Sequence, residues 1–109
     1  MTVKRAIQPL IESKMFNGKI IIVYGARQVG KTTLARSILG GYEGRSIYLN
    51  CDEPDIREAF TDSTSTEMRD FIGNNRLVVL DEAQRVRNIG LSLKLLADNY
   101  PDLQIIATG

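Results

Sequence analysis

Short apolar, β-branched runs alternate along this chain with apolar residues at helical spacing. That alternation predicts an α/β fold, a three-layer sandwich of helices around a mostly parallel sheet. Two further observations agree with it. A glycine-bearing turn joins the first run to the helix behind it. The third run ends abruptly in two acids, as a buried strand does when it delivers carboxylates to the C-terminal edge of a sheet. At 109 residues the chain is one domain at most, near the small end for such a sandwich.

Pro9 suits the first turn of a helix better than its interior, so a helix is expected to start near Gln8, run through Leu10, Ile11, Lys14 and Met15, and end at Asn17-Gly18. Residues 19–24 form the first strand. From Lys31, the apolar positions Leu34, Ala35, Ile38 and Leu39 recur at helical spacing until Gly40-Gly41 stops them. Ser46–Asn50 is the second strand, and Pro54 then opens a helix carrying Ile56, Ala59 and Phe60. Thr64 and Glu67 have the spacing of a capping box ahead of Met68, Phe71 and Ile72, with Gly73 as the stop. Residues 77–80 form the third strand, Ile89, Leu93, Leu96 and Tyr100 mark a helix that Pro101 terminates, and residues 103–107 form the fourth strand. Right-handed crossovers lead us to expect the first strand in the centre of the sheet with the third beside it, bringing Asp81 near Lys31 and Thr32.

Composition narrows the function classes. Apolar residues make up 43% and charged residues 25%, with a net charge of +1, so neither disorder nor a nucleic-acid-coating field is indicated. No apolar run approaches the length of a membrane span, and a cytoplasmic location is the expectation. With one cysteine and no histidine, internal disulfides, the usual zinc sites and histidine acid-base catalysis are excluded. Cys51 reads as a buried, inert thiol.

The turn after the first strand is Gly25-Ala26-Arg27-Gln28-Val29-Gly30-Lys31-Thr32, which matches G-x-x-x-x-G-K-[ST] in the required context of strand before and helix after. Glycines are needed where backbone N–H groups close on phosphate oxygens, so Gly25 and Gly30 mark a phosphate cradle, the P-loop. Lys31 would reach the β- and γ-phosphates, Thr32 would ligate magnesium, and Thr33 would lie nearer the α-phosphate. Arg27 and Gln28 are not required by the pattern and read first as a solvated tip, with a contact to nucleotide or partner as the alternative. The ligand is then ATP with magnesium; GTP is disfavoured because no N/T-K-x-D guanine motif occurs.

Asp81 closes the third strand as the expected magnesium partner, directly or through water, and Glu82 follows as the group that polarises an attacking water. An acidic helix N-terminus is the bland alternative for the pair. Thr108 emerges at the same edge, either to orient the water or as a plain strand-ending threonine. Gln84 could face the γ-phosphate or simply be exposed. Arg85 and Arg87 read as surface charges, Lys4, Arg5, Lys14 and Lys19 as solvated, and the four tyrosines as too scattered for base stacking.

GARQVGKTTLA (25–35), VVLDEAQ (78–84) and IIATG (105–109) together resemble the N-terminal part of a prokaryotic AAA-type P-loop ATPase family. The resemblance covers nearly the whole chain. It implies Walker A at residues 25–32, Walker B at 77–81 with Glu82 as the catalytic acid, and a sensor-like Thr108, so that Lys31, Glu82 and Thr108 carry catalysis while Thr32 and Asp81 hold the metal. Members usually continue into a fifth strand, a helical lid and a nuclease-like domain. Residues 1–18 accordingly read as an N-terminal helical segment and 19–109 as a partial ATPase core, truncated after the fourth strand. ATP hydrolysis is expected of the full-length protein, with weak binding and slow turnover by this chain alone. The alternative is a slow-hydrolysing, nucleotide-dependent switch or interaction module. Implied partners are ATP, a second copy along an open sheet edge, and DNA through the C-terminal region, with no membrane.

Overall fold

A computed structural model describes residues 3–17, 20–23 and 31–109, with backbone only at 3–7, 31 and 32. The elements are α1 (Val3–Lys14), β1 (Ile21–Val23), α2 (Lys31–Gly41), β2 (Ser46–Asn50), α3 (Pro54–Phe60), α4 (Ser65–Ile72), β3 (Leu77–Asp81), a 3-10 turn (Ala83–Arg85), α5 (Ile89–Asn99) and β4 (Gln104–Thr108). All strand pairs are parallel, in the order β1-β4-β3-β2. The α/β sandwich expected from the sequence is present.

Side chains on a strand alternate between the two faces of the sheet, and here each face has its own core. Leu77, Val79 and Ile106 pack with Leu34, Ala35 and Ile38 of α2 and with Ile11 of α1. Val78, Leu80, Ile105 and Ala107 pack on the other side with Phe60, Met68, Ile72, Leu93 and Leu96 from α3, α4 and α5. Three layers follow. Every residue of β3 and β4 is buried, as the contiguous apolar runs at 77–80 and 105–107 require.

Strand order differs from the expectation. β1 is not central with β3 beside it: β4 lies between them, and among the described residues β1 has β4 as its one strand neighbour. The apolar runs of β1, β3 and β4 all suit burial on both faces and do not by themselves select a neighbour; β3 and β4 take the buried middle, while β1 exposes Ile22 at 48% and β2 carries half-buried Ser46 and Tyr48.

Local signals placed most boundaries. Pro54 opens α3, and Thr64 and Glu67 form a complete capping box, with the Glu67 N–H donating to Thr64 Oγ1 and the Thr64 N–H to Glu67 Oε1. Gly73 closes α4 at a φ of 72°, a conformation glycine adopts without steric cost. The exception is α1, which begins at Val3 and carries Pro9 inside rather than starting near Gln8. Lys4, Arg5 and Ala6 are strong helix formers and extend the helix despite the N–H that proline lacks. It ends earlier than Asn17-Gly18: Phe16 takes a φ of 60°, and its N–H donates to buried Gln104 Oε1 at 2.5 Å.

Candidate functional site

Parallel pairing brings the C-terminal ends of all strands to one edge. Val23 of β1 registers with Thr108, Leu80 with Ala107, and Asp81 with Asn50. The segment that leaves Val23 and enters α2 at Lys31 therefore departs from the edge where Asp81 and Thr108 stand. Of the expected site residues, Gly25, Ala26, Arg27, Gln28, Val29 and Gly30 lie outside the described residues, as do the side chains of Lys31 and Thr32. Thr33 is exposed on the first turn of α2.

Asp81 is 3% exposed, and a carboxylate buried this deeply needs donors. Thr108 Oγ1 donates to its Oδ1 at 2.5 Å, the Glu82 N–H donates to the same oxygen at 3.1 Å, and the Tyr48 hydroxyl donates to Oδ2. The alternation of side chains explains the convergence. Tyr48, Asp81 and Thr108 fall on the α2 face of three adjacent strands, and Arg36 of α2 covers the Tyr48 ring at 4.4 Å.

Glu82 follows in the left-handed region, at φ 57° and ψ 40°, where a residue other than glycine costs of order 1–3 kcal/mol. No α-helix starts there. The chain passes through the 3-10 turn, with Glu82 at its N-cap position but making no side-chain cap bond, and α5 begins only at Ile89. Gln84 is exposed, and its Nε2 donates to Glu82 Oε2 at 2.6 Å.

The turn leaving β2 is pinned to the same edge. The Cys51 N–H donates to the Asp81 carbonyl at 2.8 Å, and Arg57 Nη1 donates to the Cys51 and Asp52 carbonyls at 3.0 and 2.7 Å. Cys51 is fully buried. Burial first, then the charges of Asp81 and Asp52, pushes its thiol up to about 11, which agrees with an inert thiol. Arg85 and Arg87 are exposed and pair with Asp52 and Asp62 at 3.2 and 3.5 Å, contacts that contribute little in water. Lys14 is exposed, whereas Lys19, Tyr24 and the side chains of Lys4 and Arg5 lie outside the described residues.

Tyr48 is the side chain that sequence reasoning passed over. Its position two residues before a strand end is a weak signal by itself, and it becomes informative only once β2 is known to pair with β3.

No helix among the described residues is long and apolar enough to cross a membrane. A family model described as an AAA domain matches residues 17–109. The replication factor C large subunit of Methanosarcina mazei is 32% identical over 71 residues, which cover 62% of this chain and 12% of that protein. The chain thus spans about an eighth of the curated relative it matches. No solved structure matches.

Proposed function

Because the chain belongs to the AAA domain family, whose members are nucleotide-binding P-loop ATPase domains, we propose that it binds ATP with magnesium through residues 25–32 and that Asp81 and Glu82 serve hydrolysis of the γ-phosphate. The observation that carries the reading is the buried Asp81 carboxylate, held by Thr108 and Tyr48 at the edge from which β1 departs toward α2.

That donor set fits magnesium. The cation favours hard oxygens and binds through one or two carboxylates plus phosphates and waters rather than in a protein cage. Among the described residues no three His, Cys, Asp or Glu side chains form such a cage. Thr32 and Asp81 would hold the ion, which when bound neutralises charge on the β- and γ-phosphate oxygens. Gly25, Ala26, Arg27, Gln28, Val29 and Gly30 would supply the phosphate-binding loop through their backbone N–H groups, with Thr33 nearer the α-phosphate. Lys31 offsets the charge that develops on transfer. Glu82 orients the attacking water and accepts its proton, a step the Asp81 carboxylate is too engaged to perform. The Thr108 hydroxyl gives its hydrogen to Asp81 and retains lone pairs with which to accept from a water.

One contact favours the second reading, a slow-hydrolysing switch: Gln84 occupies Glu82 Oε2. Replacing Gln84 with alanine raises turnover if that contact restrains Glu82, and lowers it if the contact aims Glu82 at the water.

The proposal is tested by titrating the chain with magnesium-ATP and magnesium-GTP, with and without Lys31→Ala. Loss of a charge-assisted contact of about 1.5–3 kcal/mol weakens ATP binding roughly 10- to 100-fold. Affinity untouched by the substitution refutes the loop assignment, and tighter GTP binding refutes the choice of base. Glu82→Gln should keep ATP binding and abolish turnover.

A further inference from the structure

We propose that Tyr48 is a positioning residue for Asp81 and that, through Arg36, it couples the orientation of this carboxylate to helix α2. The inference rests on the reading above that Asp81 serves the metal.

The geometry follows from register. Tyr48 on β2 pairs with Val79 on β3, which makes Asp81 its diagonal neighbour two residues further along. An aromatic side chain can span that distance on one face of a sheet. Its hydroxyl reaches Asp81 Oδ2, while Thr108 holds Oδ1 from β4 on the other side. The terminal torsion of an aspartate is broad and roughly two-fold. With Oδ1 already held by Thr108 and by the Glu82 N–H, the Tyr48 hydroxyl adds a grip on the second oxygen, so that contacts from both neighbouring strands define the plane and direction of the carboxylate.

Arg36 adds the connection to α2. Its guanidinium lies 4.4 Å from the centre of the Tyr48 ring, in range for a cation–π contact. Position 32 lies one turn before Arg36 on the same face of that helix. The stack thereby ties the helix that begins at Lys31 to the residue that orients Asp81, and the tie does not pass through the nucleotide. Groups that orient a metal-side carboxylate in this way typically change metal affinity 10- to 100-fold when removed.

Tyr48→Phe keeps the ring, and so the Arg36 stack, while removing the hydroxyl. ATP affinity of the wild-type and variant chains is measured by calorimetric titration with magnesium and again with EDTA, and each chain's thermal melt is recorded without nucleotide. The expected result is unchanged affinity in EDTA and a magnesium-dependent gain roughly 10-fold smaller in Tyr48→Phe. Arg36→Gln, which keeps the hydroxyl and removes the stack, should show a smaller loss of the same kind, and it serves as the measured variant should Tyr48→Phe fail to fold. An equal fall with and without metal would mean that Tyr48 is merely structural and would overturn the proposal. So would a variant whose gain matches that of a wild-type chain showing a clear one. A wild-type chain with no magnesium-dependent gain would overturn the functional reading itself, and this proposal with it.

Discussion

Replacing Thr108 with valine removes one hydroxyl and preserves shape, branching and strand preference. The site is 2% exposed, and the lost contact is the 2.5 Å bond to Asp81 Oδ1. A hydrogen bond to a charged acceptor contributes about 1.5–3 kcal/mol. Asp81 is not stripped by the change, since Oδ1 still accepts the Glu82 N–H and Oδ2 the Tyr48 hydroxyl. The loss should therefore fall in the lower part of the range, about 1.5–2 kcal/mol. For a domain of this size 1 kcal/mol moves the melting temperature by about 4–5 °C, so Thr108→Val should melt roughly 6–10 °C below wild type. The assay is far-UV circular dichroism near pH 7 without nucleotide, because a bound ligand would mask the difference by mass action. Thr108→Ser keeps the donor and should recover most of the loss. A valine variant melting within about 2 °C of wild type would show that the Thr108–Asp81 bond contributes little. A serine variant as unstable as valine would place the effect in the methyl group instead.

Four other outcomes are expected. Since the folded thiol of Cys51 holds its proton to about 11 against an ordinary 9.0, its thiolate near pH 8 is about 100-fold scarcer than in the unfolded chain. A disulfide reagent should label the native protein at under a hundredth of the denatured rate, and rapid native labelling would contradict the buried placement. The same raised value means that stability present below pH 9 is lost as pH rises toward 11, by roughly 2–3 kcal/mol, which urea titrations across that interval would detect. Thr64→Ala removes the hydroxyl half of the capping box and should cost about 1 kcal/mol, read as a lower urea midpoint with an unchanged slope. Leu96 is fully buried, and Leu96→Ala should cost about 2–5 kcal/mol, a large share of what holds a domain of this size; a variant that melts like wild type would contradict the two-faced core.

What could be read in advance follows the range of the physical signal. α4 was legible to the residue because a capping hydroxyl, its glutamate partner and a terminal glycine act within a few positions of one another. β2 and α3 were equally clear, bounded by Asn50 and Pro54. Helix α1 was misjudged because a proline preference, which is local, lost to the helical propensity of the residues before it. Strand order was not legible, since contiguous apolar runs specify burial on both faces without specifying a neighbour, and β4 took the place beside β1 that had been assigned to β3. Asp81 and Thr108 stood out as polar residues closing apolar runs. Tyr48 did not, because its relation to Asp81 exists only in the register between β2 and β3. The left-handed turn at Glu82 has no local signal either, since glutamate has no preference for it.

The pairing of Ile21 with Ile106 bears on how the chain is made. Ribosomes deliver about 5–20 residues per second, so β1 emerges well before the strand that will hold it, a gap on the order of seconds. α3 and α4 can form as soon as they appear, because helices close in microseconds. β1 must wait, apolar and unpaired, until β4 leaves the exit tunnel, and a long wait of this kind exposes a strand to wrong partners. The edge that would bind nucleotide thus gains Thr108 only when β4 appears, the last of the described strands to be synthesised.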